Sequence, residues 1–259
     1  MTEEQQWDIA RALETTPELL PYIPELLADL WELGSSPSII VDWVRTLGLE
    51  RVTTQVLDLG CGKGAVSILI ARELRFRVYG IDLFKPFIME ARQRAEEHGV
   101  SDRCQFEVAD IRNIIMKVKN FDIVVYTAVG GLLGRWDEGI GQLRQTVRPG
   151  GYIVIDDGFL LDPAAQHRPG YEYISSHDET IELLTSCGDR LLREKVYPSA
   201  ETAAINGRYL DCIRKRAEEL RLRHPEAEAL LLEYIEQQER ENDFLETMVA
   251  GAMWLIQRR

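Results

Sequence analysis

The chain is short of cysteine: four in 259 residues, at positions 61, 104, 187 and 212. They do not fall at metal-ligand spacing, and two sit where a core or a ligand loop is expected. That pattern predicts reduced thiols and a cytoplasmic setting, not a disulfide framework. Basic residues are also scarce, 30 Lys and Arg against 43 Asp and Glu, for a net charge of −13. Nucleic-acid binding depends on neutralising phosphates with basic patches. No basic stripe interleaved with aromatics occurs, so no nucleic-acid partner is expected. No apolar run reaches the roughly 18 residues a membrane span needs, and Met1–Trp7 is acidic and polar, unlike a secretory leader. What remains is the composition of a globular domain, 45% hydrophobic, long enough for one α/β unit with insertions.

The most informative stretch is Val56-Leu57-Asp58-Leu59-Gly60-Cys61-Gly62-Lys63-Gly64. An apolar strand runs into a carboxylate, then three glycines at alternate positions, then a helical pattern from Ala65. Glycines at a strand-to-helix turn let a ligand approach the main chain, at the place where open α/β sheets bind nucleotides. Asp58 separates the readings. It would repel a pyrophosphate, which argues against a dinucleotide, but it suits a ligand that carries an ammonium and no phosphate, such as S-adenosylmethionine. A P-loop fits worse, because Lys63 is followed by Gly64 and not by Ser or Thr. A turn using glycine for geometry alone is the bland alternative.

A second acid, Asp82, ends the strand Arg77–Asp82, 22 positions beyond Gly60. An acid at that distance suits ribose hydroxyls, although Asp82 alone would also serve as a helix cap ahead of Pro86. A third strand, Cys104–Val108, ends at Ala109-Asp110-Ile111, where a carboxylate can accept from the adenine amine with an apolar neighbour over the ring.

In this order the motifs resemble those of class I S-adenosylmethionine-dependent methyltransferases over roughly residues 37–198 plus the last strand. Phe121–Tyr126 resembles the family's fourth strand, and Val147–Ile155 its Pro-Gly-Gly turn and fifth strand. The resemblance implies an α/β fold: a Rossmann-like, seven-stranded, mostly parallel sheet with the last strand antiparallel and helices on both faces. It implies S-adenosyl-L-methionine as cofactor, held by Asp58, Gly60, Cys61, Gly62, Gly64, Asp82, Leu83, Asp110, Ile111 and Thr127, and no metal. The acid excess favours a small-molecule acceptor, methylated at O, N or C. Without an identifiable base, a cofactor-binding regulatory or partner module without transfer activity is the alternative. An aminopropyltransferase is a further competitor, but its Gly-Gly-Gly-Asp-Gly loop is absent.

Four parts are expected along the chain. Residues 1–36 form a helical segment over the cofactor site, with helices over Glu3–Glu14 and Pro17–Leu33. Residues 37–198 form the core, opened by a helix that Ser36 caps. Residues 199–248 form a charged helical insertion, broken at His224-Pro225, whose role as lid, homodimer element or surface elaboration stays open. Residues 249–259 close the sheet. Candidates for a general base are Asp156, Asp157, His167, Tyr171, Tyr173 and His177. For each, capping or packing is the stronger alternative, so no catalytic residue is assigned. Trp31 and Trp43 are read as core.

Overall fold

The computed structural model describes residues 2–162 and 168–259. One sheet organises them. Its strands are β1 (Gln55–Leu59), β2 (Arg77–Asp82), β3 (Cys104–Val108), β4 (Phe121–Thr127), β5 (Val147–Leu160), β6 (Arg190–Val196) and β7 (Val249–Gln257). They lie in the order β3-β2-β1-β4-β5-β7-β6. β1 to β5 are mutually parallel, and β7 runs antiparallel between β5 and β6.

Side chains alternate across a strand, so an apolar run feeds two cores. Val56, Val78, Ile123, Val125 and Val154 face one core, with α3 (Pro37–Arg45), α4 (Ala65–Leu74) and α5 (Lys85–Glu97). Leu57, Ile81, Val124, Tyr126 and Ile155 face the other, with α7 (Trp136–Thr146) and α8 (His177–Leu184). Near-continuous apolar strands are the mark of a sheet covered on both faces.

β5 runs on past Ile155, where the stretch resembling the family's fifth strand ends, to Leu160. Its pairing with β4 ends at Asp156, opposite Thr127, while its pairing with β7 continues to Leu160 opposite Val249. Antiparallel pairing needs no third strand, so this ribbon projects past the sheet edge. After β3 comes a single short helix, α6 (Ile111–Ile114), followed by turns.

The N-terminal segment differs from expectation. α1 (Glu3–Ala12) forms, opened by a capping box in which Thr2 and Gln5 exchange hydrogen bonds. The continuous helix over Pro17–Leu33 does not. A 3-10 turn (Pro17–Leu19) and α2 (Ile23–Leu26) replace it, because Pro17, Pro21 and Pro24 each lack the amide that a helix interior needs. Nor does the Ser36 hydroxyl cap α3; it faces the Tyr197 phenol instead. Between β6 and β7 stand α9 (Ser199–Arg223) and α10 (Glu228–Thr247), parted at His224-Pro225. They share a third apolar cluster with the N-terminal segment, in which Leu19, Ile23 and Leu26 meet Ile213, Leu220 and Leu231. Asp29–Arg216 and Glu25–Arg223 ion pairs edge that contact. The result is a single cover over the carboxyl ends of the strands.

Candidate functional site

The turn after β1 is a cradle. Gly60, Gly62 and Gly64 all have positive φ, which glycine adopts without the side-chain clash other residues meet. The Gly60 and Cys61 amides bond the Ile81 carbonyl of β2 at 2.8 and 2.9 Å, so the loop is fixed against the neighbouring strand. A Cβ on Gly60 would come within 2.5 Å of the Val129 side chain, and one on Gly62 within 3.3 Å of Leu33. Val129 is β-branched and stiff at χ1, so a side chain at Gly60 would not fit here without displacing it.

Two carboxylates converge on this cradle. Asp58 is 1% exposed and accepts from the Ser67 hydroxyl at 2.5 Å. Asp82 accepts from the Gly62 amide at 2.9 Å and the Phe84 amide at 2.8 Å. Burial lifts both to about 6. Every donor they meet is neutral, and no ion pair of the described residues includes either. A buried carboxylate without a countercharge is costly, and a ligand ammonium would relieve that cost. The residues therefore fit S-adenosylmethionine, whose tail carries an amino group and no phosphate.

The other predicted contacts are placed less uniformly. Thr127 ends β4 and borders a cleft of about 30 Å³ over the loop, together with Asp58, Gly60, Cys61 and Gly62. The Cys61 thiol is buried and pushed well up, which keeps it neutral. Leu83 packs with the N-terminal cover, and Ile111 is buried against the second core. Asp110 caps α6 through the Arg112 amide at 2.8 Å. Its carboxylate is also held by the Arg112 guanidinium, which draws its pKa down and reaches on to Asp8 of α1 at 2.5 Å. An adenine amine would share Asp110 with that arginine.

Lys63 and Trp31 make contacts at the loop that their positions in the sequence do not announce. The Lys63 ammonium, buried inside the cover, donates to the Leu27 carbonyl at 2.6 Å and pairs with Glu90 at 3.1 Å. Trp31 packs against the first core, as read, and also reaches the loop. Its indole donates to the Lys63 carbonyl at 3.1 Å, stacks on His98 and lies under Arg94. Residues 27–34 are thus latched onto the glycine loop, and Trp31, Leu33 and Ser35 border the same cleft.

Beyond Leu33 and Ala128 a cavity of about 890 Å³ opens between the sheet edge and the cover. Asp156 and Asp157 border it from β5, Tyr171 and Tyr173 from the loop that follows, Asn206 from α9 and Glu241 from α10. Asp156 accepts from the Tyr197 hydroxyl at 3.1 Å, and Asp157 from Tyr173 at 3.0 Å. Burial raises each to about 7. His177 is not among the cavity residues; it pairs with Glu194 at 2.9 Å at the start of α8. His167 lies outside the described residues. Trp43 packs against the first core, as read.

A glycine cradle flanked by unpaired acids, at the carboxyl edge of a sheet with β7 inserted antiparallel, defines a class I S-adenosylmethionine-dependent methyltransferase. The comparisons agree. A family described as "Methyltransferase domain" matches residues 50–202, and the chain belongs to it. It is 33% identical over 115 residues to 27-O-demethylrifamycin SV methyltransferase of Amycolatopsis mediterranei, covering 44% of this chain and 42% of that one. It is 32% identical over 153 residues to a fatty-acid O-methyltransferase of Mycolicibacterium smegmatis, covering 53% and 54%. The chain spans about half the length of these curated relatives. In fold it is similar to a methyltransferase of Geobacter sulfurreducens solved with S-adenosyl-L-homocysteine, at a TM-score of 0.77 and 19% identity, covering 92% of this chain and 97% of that one.

Proposed function

We propose that this chain methylates a small molecule bound between the sheet edge and the cover, using S-adenosylmethionine bound at the glycine cradle. The observation that carries this is the cavity of about 890 Å³, bordered by both the N-terminal segment and the α9–α10 pair. That volume matches the roughly 300–1,000 Å³ of small-molecule sites. Relatives named for methylating a ribosomal protein exist, among them the ribosomal protein L11 methyltransferase of Pasteurella multocida, but a cavity of this size suits a small acceptor.

Asp58 would accept from the ammonium of the cofactor, Asp82 from its ribose hydroxyls, and Asp110 with Ile111 would border its adenine. When bound, the sulfonium supplies an electrophilic methyl group. The chain supplies orientation, the largest share of catalysis in such displacements. Its cover excludes water, and Asp156 and Asp157 are placed to take a proton from the acceptor. In this reading residues 1–36 and 199–248 are the two halves of the cover on the core of 37–198 and 249–259.

Calorimetry tests the cofactor. S-adenosylmethionine and S-adenosylhomocysteine should bind with a Kd of about 1 μM, a common affinity for such ligands, and NAD should not bind. NAD binding in their place would sink the assignment. The acceptor is tested with methyl-labelled cofactor and a fractionated cell extract. Label should enter the small-molecule filtrate; label confined to retained protein would overturn the small-molecule reading.

A further inference from the structure

Three carboxylates border the large cavity, and each meets a tyrosine hydroxyl where a buried acid would ordinarily meet a cation. Tyr197 donates to Asp156 at 3.1 Å, Tyr173 to Asp157 at 3.0 Å, and Tyr171 to Glu241. Among the described residues, none of the three takes part in an ion pair. The basic groups nearby act on these acids only through space: Arg168 pairs with Glu14 at 2.7 Å and Lys195 lies over the Tyr197 ring, while their charges favour the ionised Glu241 and Asp156 respectively. Arg11, Arg112 and Arg135 border the cavity too, each already paired with carboxylates. Glu172 and Glu201 add further negative charge to its wall.

Such a wall is electrostatically incomplete. Carboxylates withdrawn from water are stabilised by a countercharge far more than by a neutral donor, so the group that completes this wall is a cation occupying the cavity. The rings point the same way. Tyr171 and Tyr173 stack with centroids 6.3 Å apart, and Phe244 lies 5.1 Å from Tyr171. Aromatic faces attract cations; the Arg168 guanidinium lies 5.4 Å from the Tyr171 ring centre, and Tyr173 is the ring that adjoins Asp157. The stacked pair also links Asp157 on the sheet edge with Glu241 on α10, and both acids border the same cavity.

We propose that the acceptor is a cationic amine whose nitrogen is the methylated atom, with Asp157 holding its ammonium group and Glu241 adding the second negative charge from the cover. This rests on the small-molecule reading of the cavity. Asp156 pairs with Thr127 at the end of β4 that borders the cleft over the glycine loop, and Asp157 follows it and borders the cavity, so an amine on Asp157 is held at the cofactor end of the sheet. Before reaction the ammonium gives one proton to Asp157. The freed nitrogen lone pair then forms the new C–N bond while the methyl–sulfur bond breaks, its electron pair staying on sulfur.

The test uses the full chain loaded with S-adenosylhomocysteine and probes of matched shape, titrated in a calorimeter at pH 8. Tyramine is compared with its alcohol analogue tyrosol and with 4-hydroxyphenylacetate, and butylamine with butanol and butyrate. In each set the amine should bind at least about tenfold more tightly than the alcohol, the weight of one hydrogen bond to a charged group, and the carboxylate should bind most weakly. Asp157→Asn and Glu241→Gln should each erase most of that preference while leaving S-adenosylhomocysteine affinity within about twofold, which also reports folding. An alcohol or carboxylate that binds as tightly as its amine would overturn the amine assignment and leave the small-molecule reading standing. Failure of every probe to bind the loaded protein would overturn both.

Discussion

Asp58 and Lys63 sit five residues apart in one motif and behave oppositely. Asp58 has a full negative charge to offer and no cation to meet it, whereas Lys63 spends its charge on Glu90 and the Leu27 carbonyl. The first was legible in the sequence, because an acid at the end of a strand before alternating glycines has few structural duties. The second was not, because its partner lies 36 residues upstream and only folding brings them together. An Asp58→Asn substitution keeps the size and the Ser67 contact and removes the charge. It should weaken S-adenosylmethionine binding at pH 8 at least about tenfold, the cost of losing a charged hydrogen bond in a closed site, without lowering the melting temperature. Unchanged affinity in calorimetry would remove Asp58 from the site.

At the level of elements, the core was readable and the cover was only half so. Strands β1 to β5 announce themselves as apolar runs ended by acids or glycines, and their helices follow. The segment 17–33 carries helical apolar spacing too, but its three prolines overrode periodicity and left short turns. The charge run of α10 gives no sign in sequence of a buried partner, yet Glu241 meets Tyr171 at the cavity, 70 residues away in sequence. Such pairings leave no local signature.

The latch on the glycine loop is likewise a property of elements. Lys63→Met retains the buried stem and deletes the ties to Leu27 and Glu90. Amides of residues 28–34 should then exchange with deuterium faster in the ligand-free protein, since fewer contacts hold the segment closed. S-adenosylhomocysteine should slow them again. Exchange as slow as in the unaltered chain would mean that Trp31 and the apolar cluster hold the segment without Lys63.

Over the whole molecule, the acid excess and the unpaired buried carboxylates make one prediction about pH. Asp58, Asp82 and Glu241 are raised to about 6, and Asp156 and Asp157 to about 7, mainly by burial. In an unfolded chain the same groups titrate near 4. Between about pH 4 and 7 the folded state therefore holds more protons than the unfolded one, and stability falls as pH rises through that window. His177, raised by Glu194, acts in the same direction, because its contribution is present at low pH and lost as pH rises. Repulsion within a chain of net charge −13 adds to the trend. The ligand-free protein should therefore melt higher at pH 5.5 than at pH 8, by on the order of 5 °C at about 2–4 °C per kcal/mol for a chain of this size. S-adenosylhomocysteine brings an ammonium to the acids of the cradle, so its stabilising effect should be larger at pH 8, where Asp58 and Asp82 are ionised, and should shrink below about pH 6. The double variant Asp156→Asn, Asp157→Asn separates the cavity acids from the cradle. It should flatten the pH dependence of the ligand-free protein and leave that of the ligand effect in place. A melting temperature that instead climbs steadily from pH 5.5 to 8 would mean that these carboxylates are ionised and compensated in the fold, and the electrostatic account of both the cradle and the cavity would fall together.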